Sequence, residues 1–308
     1  IPAEPLFRSV EDLGATGRGE NVEISTYLEK AVTSELSGNL VDLCPVGALT
    51  SKPYQFVARP WELTKTESVD VMDAIGSNIR IDSRDGKVLR ILPKNNESIN
   101  EEWISDKSRY AIDGLSKQRL DTPFVKINNK LQRVSWDEAF DLIASNLNQR
   151  ISPDDAIFYT SGRTSNEAAF LYQLFIRIFG TNNLPDCSNM CHESSGFALN
   201  HTLGIGKGTV KLEDFYHAEL ILIFGQNPGT NHPRMLSALE KAKKHGAKVV
   251  VINPLKEAGL LKFNNPQAVS GILGQGTDLA DLYLQIKINE DVALIKILLL
   301  RLLEKAEK

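Results

Sequence analysis

Glu219-Leu220-Ile221-Leu222-Ile223-Phe224-Gly225-Gln226-Asn227-Pro228-Gly229-Thr230-Asn231-His232-Pro233 is the stretch that decides the reading of the fold. An unbroken run of strand-forming apolar residues ends on a glycine, passes through a polar loop and enters a helix expected over about 232–245. Lys248-Val249-Val250-Val251-Ile252 follows as a strand and stops at Asn253-Pro254. Upstream the same plan recurs. Ala156-Ile157-Phe158-Tyr159-Thr160 reads as a short buried strand, Ser161-Gly162-Arg163 as its turn, and about 166–179 as the next helix. Strands alternating with helices predict an α/β fold with a doubly wound parallel sheet. Ligands of such sheets bind at the carboxyl ends of the strands. The loops at 161–163, 225–231 and 253–257 are therefore expected to line a nucleotide-type site, where free N–H groups favour phosphate. Taken singly, each glycine loop also reads as a plain tight turn. The spacing is not G-x-G-x-x-G, which disfavours a standard dinucleotide fingerprint.

Between these strands lies Asp186-Cys187-Ser188-Asn189-Met190-Cys191-His192-Glu193-Ser194-Ser195-Gly196, with two of the three cysteines of the chain. A thiol beside an imidazole is suited to reactive or metal-binding chemistry. On a helix, Cys187 and Cys191 share one face, and His192 points about 100° away from Cys191. The plainer alternative is a pair of small buried hydrophobes. Two cysteines do not make a structural zinc site unless histidines complete it, and the spacing is not C-x-x-C.

Length and composition bound the rest. The chain has 308 residues, room for about two domains, with 42% hydrophobic and 24% charged residues, ordinary for a soluble globular protein. A net charge of −4 gives no nucleic-acid surface. Three cysteines, two of them close together, are not a secreted disulfide framework, so a reducing compartment is expected. Residues 1–20 have no apolar core of a signal peptide and read as an irregular lead-in. The apolar helix expected over 291–303 is too short to span a bilayer and is interrupted by Lys296 and Arg301, so any membrane link runs through partner subunits.

The front half reads differently. Cys44-Pro45 closes an apolar segment, as iron–sulfur ligand runs often do, although one cysteine binds no cluster. Strands are expected at 68–71, 78–82 and 87–92, with Asp85-Gly86 as the hairpin turn between the last two. Ser135 and Glu138 form a capping box for a helix whose apolar face is Ala139, Leu142, Ile143 and Leu147. Ile151-Ser152-Pro153-Asp154-Asp155 punctuates the chain, and a domain boundary is placed near 150.

Two resemblances attach to these residues. Ser161-Gly162-Arg163-Thr164-Ser165-Asn166-Glu167, the Cys187–Gly196 run, Gly204-Ile205-Gly206, Gly225-Gln226-Asn227-Pro228 and Ile252-Asn253-Pro254 resemble the formate-dehydrogenase-like molybdopterin oxidoreductases, over about 155–305. The Cys44 phrase, Arg59-Pro60-Trp61-Glu62, Lys65-Thr66-Glu67-Ser68 and Trp103-Ile104-Ser105-Asp106-Lys107 resemble the large iron–sulfur subunit of respiratory complex I, over about 14–147. The first resemblance implies Cys191 as a molybdenum or tungsten ligand and His192 as proton acceptor. It also implies Gly162, Arg163, Gly206, Gln226, Asn227 and Asn253 around a molybdopterin guanine dinucleotide. The second implies Cys44 as the last ligand of a [4Fe–4S] cluster, whose other cysteines must come from outside this chain. No cysteine lies between Cys44 and Cys187, so the module between them cannot itself hold a cluster. Lys107, at the position of a lysine that bridges cluster and pterin, reads as a surface charge.

The expected organisation is the end of an iron–sulfur domain over 1–60, a cluster-less small β module with a linker helix over 61–150, and a molybdopterin-oxidoreductase-like α/β domain over 151–308. The leading functional expectation is an electron-transfer and structural subunit of the peripheral arm of NADH:quinone oxidoreductase. Its partners would be other respiratory subunits, and its place the matrix side of the mitochondrial inner membrane or a bacterial cytoplasmic face. The alternative is a bis-pterin molybdenum or tungsten oxidoreductase of formate dehydrogenase type. A third reading is a remnant fold that only packs against neighbours, with Cys191 buried and inert.

Overall fold

The structure, a computed structural model, describes residues 14–25, 32–150, 152–162, 164–185, 191–268, 271 and 275–307. The chain divides into two compact units, one built from residues 1–117 and 211–308, the other from 118–210. In the first, β1 (Gly14–Thr16) pairs antiparallel with β2 (Glu23–Ser25). Helix α1 (Asn39–Leu43) leads to β3 (Thr64–Val69), β4 (Asn78–Arg84) and β5 (Lys87–Pro93), an antiparallel sheet in that order. The expected hairpin forms: Asp85 and Gly86 take φ of 53° and 72°, the left-handed pair that matches the strand twist. The first strand starts earlier than expected, at Thr64, and ends at Val69. Its edge is charged, with Lys94 paired to Glu67. Inside the sheet the carboxylate of Asp82, fully buried, accepts from Arg80 at 2.9 Å and Arg90 at 2.7 Å. Helix α2 (Asp106–Tyr110) follows, capped by Ser105.

The second unit opens on the hairpin β6 (Phe124–Ile127) and β7 (Lys130–Arg133). Its turn, Asn128-Asn129, has φ of 49° and 63°, a signal available in the sequence and overlooked there. Helix α3 (Trp136–Asn148) carries the expected capping box, with Ser135 N donating to Glu138 Oε2 at 2.7 Å and Glu138 N to Ser135 Oγ at 3.2 Å. Of its expected apolar face Ala139 is buried, while Leu142 and Ile143 are 43% and 53% exposed. Helix α4 (Asn166–Phe179) has the expected limits, ending at Gly180 in the left-handed region. Helix α5 (Glu193–Leu203) completes this unit.

The strand expected at 156–160 is absent among the described residues. The segment is extended, but its backbone groups are taken one at a time rather than by a ladder. Phe158 N donates to Asn183 O at 2.9 Å, and Asn183 Nδ2 donates to Ala156 O at 3.2 Å.

Helix α6 (Leu212–His217) brings the chain back to the first unit, followed by β8 (Leu220–Phe224), α7 (Pro228–Asn231), α8 (Met235–Lys244) and β9 (Lys248–Ile252). Next come α9 (Ala258–Leu261), the antiparallel pair β10 (Lys262–Phe263) and β11 (Thr277–Asp278), β12 (Leu282–Leu284) and α10 (Asp291–Ala306). Strands β12, β9 and β8 form a parallel sheet in that order. The fold is thus mixed α/β with several sheets. The helix expected over 232–245 is α8, which starts later, at Met235; a separate short helix, α7, occupies part of the expected loop, and Pro233, with no N–H to continue a helical ladder, keeps the two apart.

Val249 and Val251, fully buried on β9, anchor a core with Ile223, Leu236, Leu239, Leu260, Phe263 and Leu279. Leu36 and Trp103, from the front of the chain, belong to the same core. Fully burying one such aliphatic side chain contributes about 1.5–3 kcal/mol. Helices α7 and α9 touch backbone to backbone: a Cβ built on Gly229 would lie 2.7 Å from Gly259 Cα. Asp281 ties β12 to β9, accepting from Val249 N at 2.8 Å and from Lys243 Nζ at 2.8 Å. Helix α10 buries none of its described residues, and no helix among the described residues is long and apolar enough to cross a membrane.

Two outcomes follow from these contacts. Gly229→Ala or Gly259→Ala should each destabilise the chain by about 1–3 kcal/mol in urea melts, because the obstructing atoms are backbone; an unchanged midpoint would contradict the close crossing. The Lys243 ammonium and the Val249 amide hold the Asp281 carboxyl at about 2, below the usual range. Its stabilisation is therefore fully present above about pH 4, the unfolded value, and is lost as pH falls towards the folded one. Asp281→Asn should cost about 1–2 kcal/mol at neutral pH and flatten the acid limb of the stability curve between about pH 4 and pH 2.

Candidate functional site

Cys44 stands at the end of α1, in a loop held from two sides. Asn39, 1% exposed, donates to Leu36 O at 2.8 Å and Ile104 O at 2.7 Å, and accepts from Ile104 N and the Arg109 guanidinium. Arg109 also pairs with Asp42 at 2.6 Å. Asp106 accepts from Ser37 Oγ at 2.6 Å and Gly38 N at 2.7 Å. Gly38 leaves room for these braces: a Cβ there would meet the Arg109 side chain and the Asp106 carboxylate at 2.8 Å, and both would have to shift. Helix α1 cannot continue, since Pro45 keeps Cys44 extended at φ −71°, ψ 108°.

Beyond the proline the chain turns at Gly47, with φ 69°. Burial alone would raise the Cys44 thiol. The N–H groups of Leu49, Val46, Ala48 and Gly47 outweigh it and hold the thiol below its ordinary value. The neighbouring backbone N–H groups thus favour the thiolate, the form that ligates iron. The donor set fits one ligand of a cluster. Among the described residues no group of three or more metal-binding side chains exists, so a cluster held here would need further thiolates.

The strand ends of the parallel sheet form the second candidate. Gly225, at φ 59°, donates to Ile252 O at 2.9 Å, which sets the loops after β8 and β9 side by side. Gln226, Asn227 and Asn253 are brought together here. Asn227 caps Thr230 N at 3.2 Å, Asn253 donates to Leu255 O at 2.6 Å, and Gln226 is exposed. Two of the three side chains are thus engaged in shaping their own loops.

A cavity of about 530 Å³ beside α7 is lined by Glu35, Asp106, Lys107, Gly229, Thr230 and Lys262, among others. Lys107 is not the plain surface charge expected from the sequence. It is half-buried and donates to Met72 O at 3.2 Å and to Asn231 O at 2.8 Å, linking the β module to the end of α7. Burial raises both Glu35 and Asp106 above the usual carboxylate range. Their presence opposite Lys107 and Lys262 makes this cavity a poor cradle for a polyanionic phosphate chain. No sequence pattern announced Glu35, whose role comes only from the packing of residues 33–38 against α2.

The other candidate residues belong to the 118–210 unit. Cys191 is exposed, contrary to the reading that buries it, and His192 occupies the N-cap position of α5. Gly206 packs against that helix, where an added Cβ would lie 3.1 Å from Gly196 O. Gly162 sits in an exposed turn. Near it, Thr160, Ser161, Thr164 and Asn166 line a cavity of about 480 Å³. Arg163 and Cys187 lie outside the described residues.

Known proteins match in three consecutive blocks. Residues 7–50 match the NADH-quinone oxidoreductase subunit 3, ferredoxin-like domain, and 63–113 the NADH-ubiquinone oxidoreductase NDSU1/NuoG-like, 4Fe-4S domain. Residues 119–306 match Molybdopterin oxidoreductase. An uncharacterized oxidoreductase of Mycobacterium tuberculosis is 62% identical over 208 residues, 68% of this chain and 26% of that protein. The NADH-ubiquinone oxidoreductase 75 kDa subunit of Reclinomonas americana is 52% identical over 176 residues, 57% of this chain and 25% of its own length. The mitochondrial NADH dehydrogenase [ubiquinone] iron-sulfur protein 1 of Solanum tuberosum is 42% identical over 252 residues, 80% of this chain and 33% of its own. The chain therefore spans about a quarter to a third of the curated relatives it matches. With its rear 119–306 under a single family description, the chain belongs to the molybdopterin oxidoreductase family.

Proposed function

We propose that this chain is part of an electron-transfer and structural subunit in the peripheral arm of an NADH:quinone oxidoreductase. The observation that carries the reading is the Cys44 loop, in which four amides favour a thiolate on a braced scaffold. The names of the Reclinomonas americana and Solanum tuberosum relatives support it. Cys44 is one ligand of a [4Fe–4S] cluster, with the remaining thiolates supplied from outside this chain. Held amides lower the cost of the charged ligand and keep the sulfur in place during electron transfer, which is the chemistry a cluster supplies when bound. The partners are other subunits of a respiratory complex, on the matrix side of the mitochondrial inner membrane or a bacterial cytoplasmic face.

The domain reading is 1–60, 61–150 and 151–308; the matched blocks 7–50 and 63–113 lie on either side of its first boundary, while the third block begins at 119. The parallel sheet β12-β9-β8 is read as part of a doubly wound sheet. A second reading rests on the exposed Cys191 beside His192: a formate-dehydrogenase-type enzyme with molybdopterin guanine dinucleotide near Gly162, Arg163, Gly206, Gln226, Asn227 and Asn253. There Cys191 ligates molybdenum or tungsten and His192 accepts a proton. The engaged side chains of Asn227 and Asn253 and the carboxylates beside Lys107 favour the first reading.

Elemental analysis of the native assembly decides between them. Iron without molybdenum or tungsten is expected, and near-stoichiometric molybdenum or tungsten would overturn the electron-transfer reading. Cys44→Ser should remove one [4Fe–4S] signal from the electron paramagnetic resonance spectrum of the assembly while subunit composition stays the same. In the cluster-free chain, alkylation of Cys44 followed by mass spectrometry across a pH series should show a midpoint below the ordinary thiol value of about 8.5. A midpoint at or above that value would remove the thiolate argument.

A further inference from the structure

A cavity of about 500 Å³ lies in the unit formed by residues 1–117 and 211–308, between α6, α8 and the segment 97–101. It shares no lining residue with the Cys44 loop or with the strand-end loops. Two charged residues of its lining, Arg234 and Glu240, are each only 4% exposed. Glu240 is satisfied: Asn265 Nδ2 donates to it at 2.5 Å, Thr277 Oγ1 at 2.9 Å, and Lys244 Nζ lies at 3.3 Å.

Arg234 is not satisfied in the same way. Its guanidinium donates to Ser237 Oγ at 2.5 Å, Gln267 Oε1 at 3.1 Å and Asn100 O at 3.1 Å, all neutral acceptors. Its Nε has no partner among the described residues, and none of their carboxylates forms an ion pair with it. The nearby acids are occupied elsewhere. Asp73 accepts from the Arg234 backbone N–H at 2.8 Å, and Glu101 accepts from Gln267 Nε2 at 2.7 Å. A guanidinium kept out of water with no contacting counter-ion is a costly arrangement, and an anion in the adjoining cavity would offset it.

The rest of the lining suits that role. Lys241 sits 4.0 Å over the ring of Tyr216, and both line the cavity, as does Lys244. Burial raises the Tyr216 hydroxyl, keeping it a donor at neutral pH. Glu97, Glu101 and Glu213 also line the cavity and disfavour a polyanion. They favour a compact ligand that carries hydroxyl or amino donors beside one acid group. The volume is that of a small-molecule site.

We propose that this cavity binds a small polar molecule through one oxyanion group, phosphate or carboxylate. Arg234 is the buried counter-charge, and Lys241 and Tyr216 are the lining donors. The test is thermal unfolding of the 308-residue chain titrated with inorganic phosphate and, separately, acetate, each against sodium chloride at equal ionic strength. A saturable rise in Tm with at least one probe is expected, and the stronger probe identifies the acid group. Lys241 is exposed and outside the core, so Lys241→Gln should fold normally and weaken the apparent affinity about tenfold, the effect of one lost charge-assisted hydrogen bond. Tyr216→Phe should weaken it less. No stabilisation beyond chloride with either probe, or a Lys241→Gln titration identical to wild type, overturns the proposal.

Discussion

A buried arginine at a joint sets the terms for the rest of this structure. Arg234 begins α8, and its backbone amide and guanidinium reach Asp73 and Asn100 in the front of the chain. Keeping a guanidinium out of water costs several kcal/mol even after relaxation. The joint therefore depends on an apolar core large enough to offset it. That core is the set around Val249 and Val251, to which Leu36 and Trp103 contribute from the other side. Ser34 bonding Asn264 O at 3.0 Å and Lys107 bonding Asn231 O at 2.8 Å add direction where the apolar contacts supply only attraction.

The Cys44 loop follows α1, a helix of only five residues. A helix that short does not persist unaided in water. It is kept by Asn39, whose side chain is wedged against Ile104, and by Arg109 reaching Asp42. Segment 103–109 serves both faces: Trp103 enters the shared core while Ser105, Ser108 and Arg109 face inward as polar braces. Ser108 in turn donates to Asp70. A sulfur presented by this loop is thus fixed through contacts that begin in the parallel sheet. The braced sulfur, rather than the glycine loops, gives the functional reading its physical basis.

Where local sequence chemistry is strong, it agrees with the structure. The Asp85-Gly86 hairpin, the Ser135 capping box, the limits of α4 and strands β8 and β9 all depend on short-range effects: left-handed turn residues, side-chain caps and unbroken β-branched runs. Strand 156–160 failed because an apolar run states only that a segment is extended, while pairing depends on what lies beside it. Strand β12 went unread because three residues carry too little pattern, although it is the partner that β9 selects. Lys107 read as a surface charge because its acceptors, Met72 O and Asn231 O, are remote in sequence.

The sequence by itself determined the alternation of strands and helices, the position of the glycine loops, and the isolation of Cys44 from any second cysteine in its half of the chain. These depend on residue type and spacing, which are local properties. Only the tertiary structure decided that Leu36 and Trp103 complete the core of the parallel sheet, that the 46–49 N–H groups favour a thiolate at Cys44, and that the Arg234 guanidinium lies buried with no carboxylate contacting it among the described residues. Each of these joins groups far apart in the chain or depends on burial. Burial is set by the summed packing of many elements, a quantity no short stretch of sequence contains.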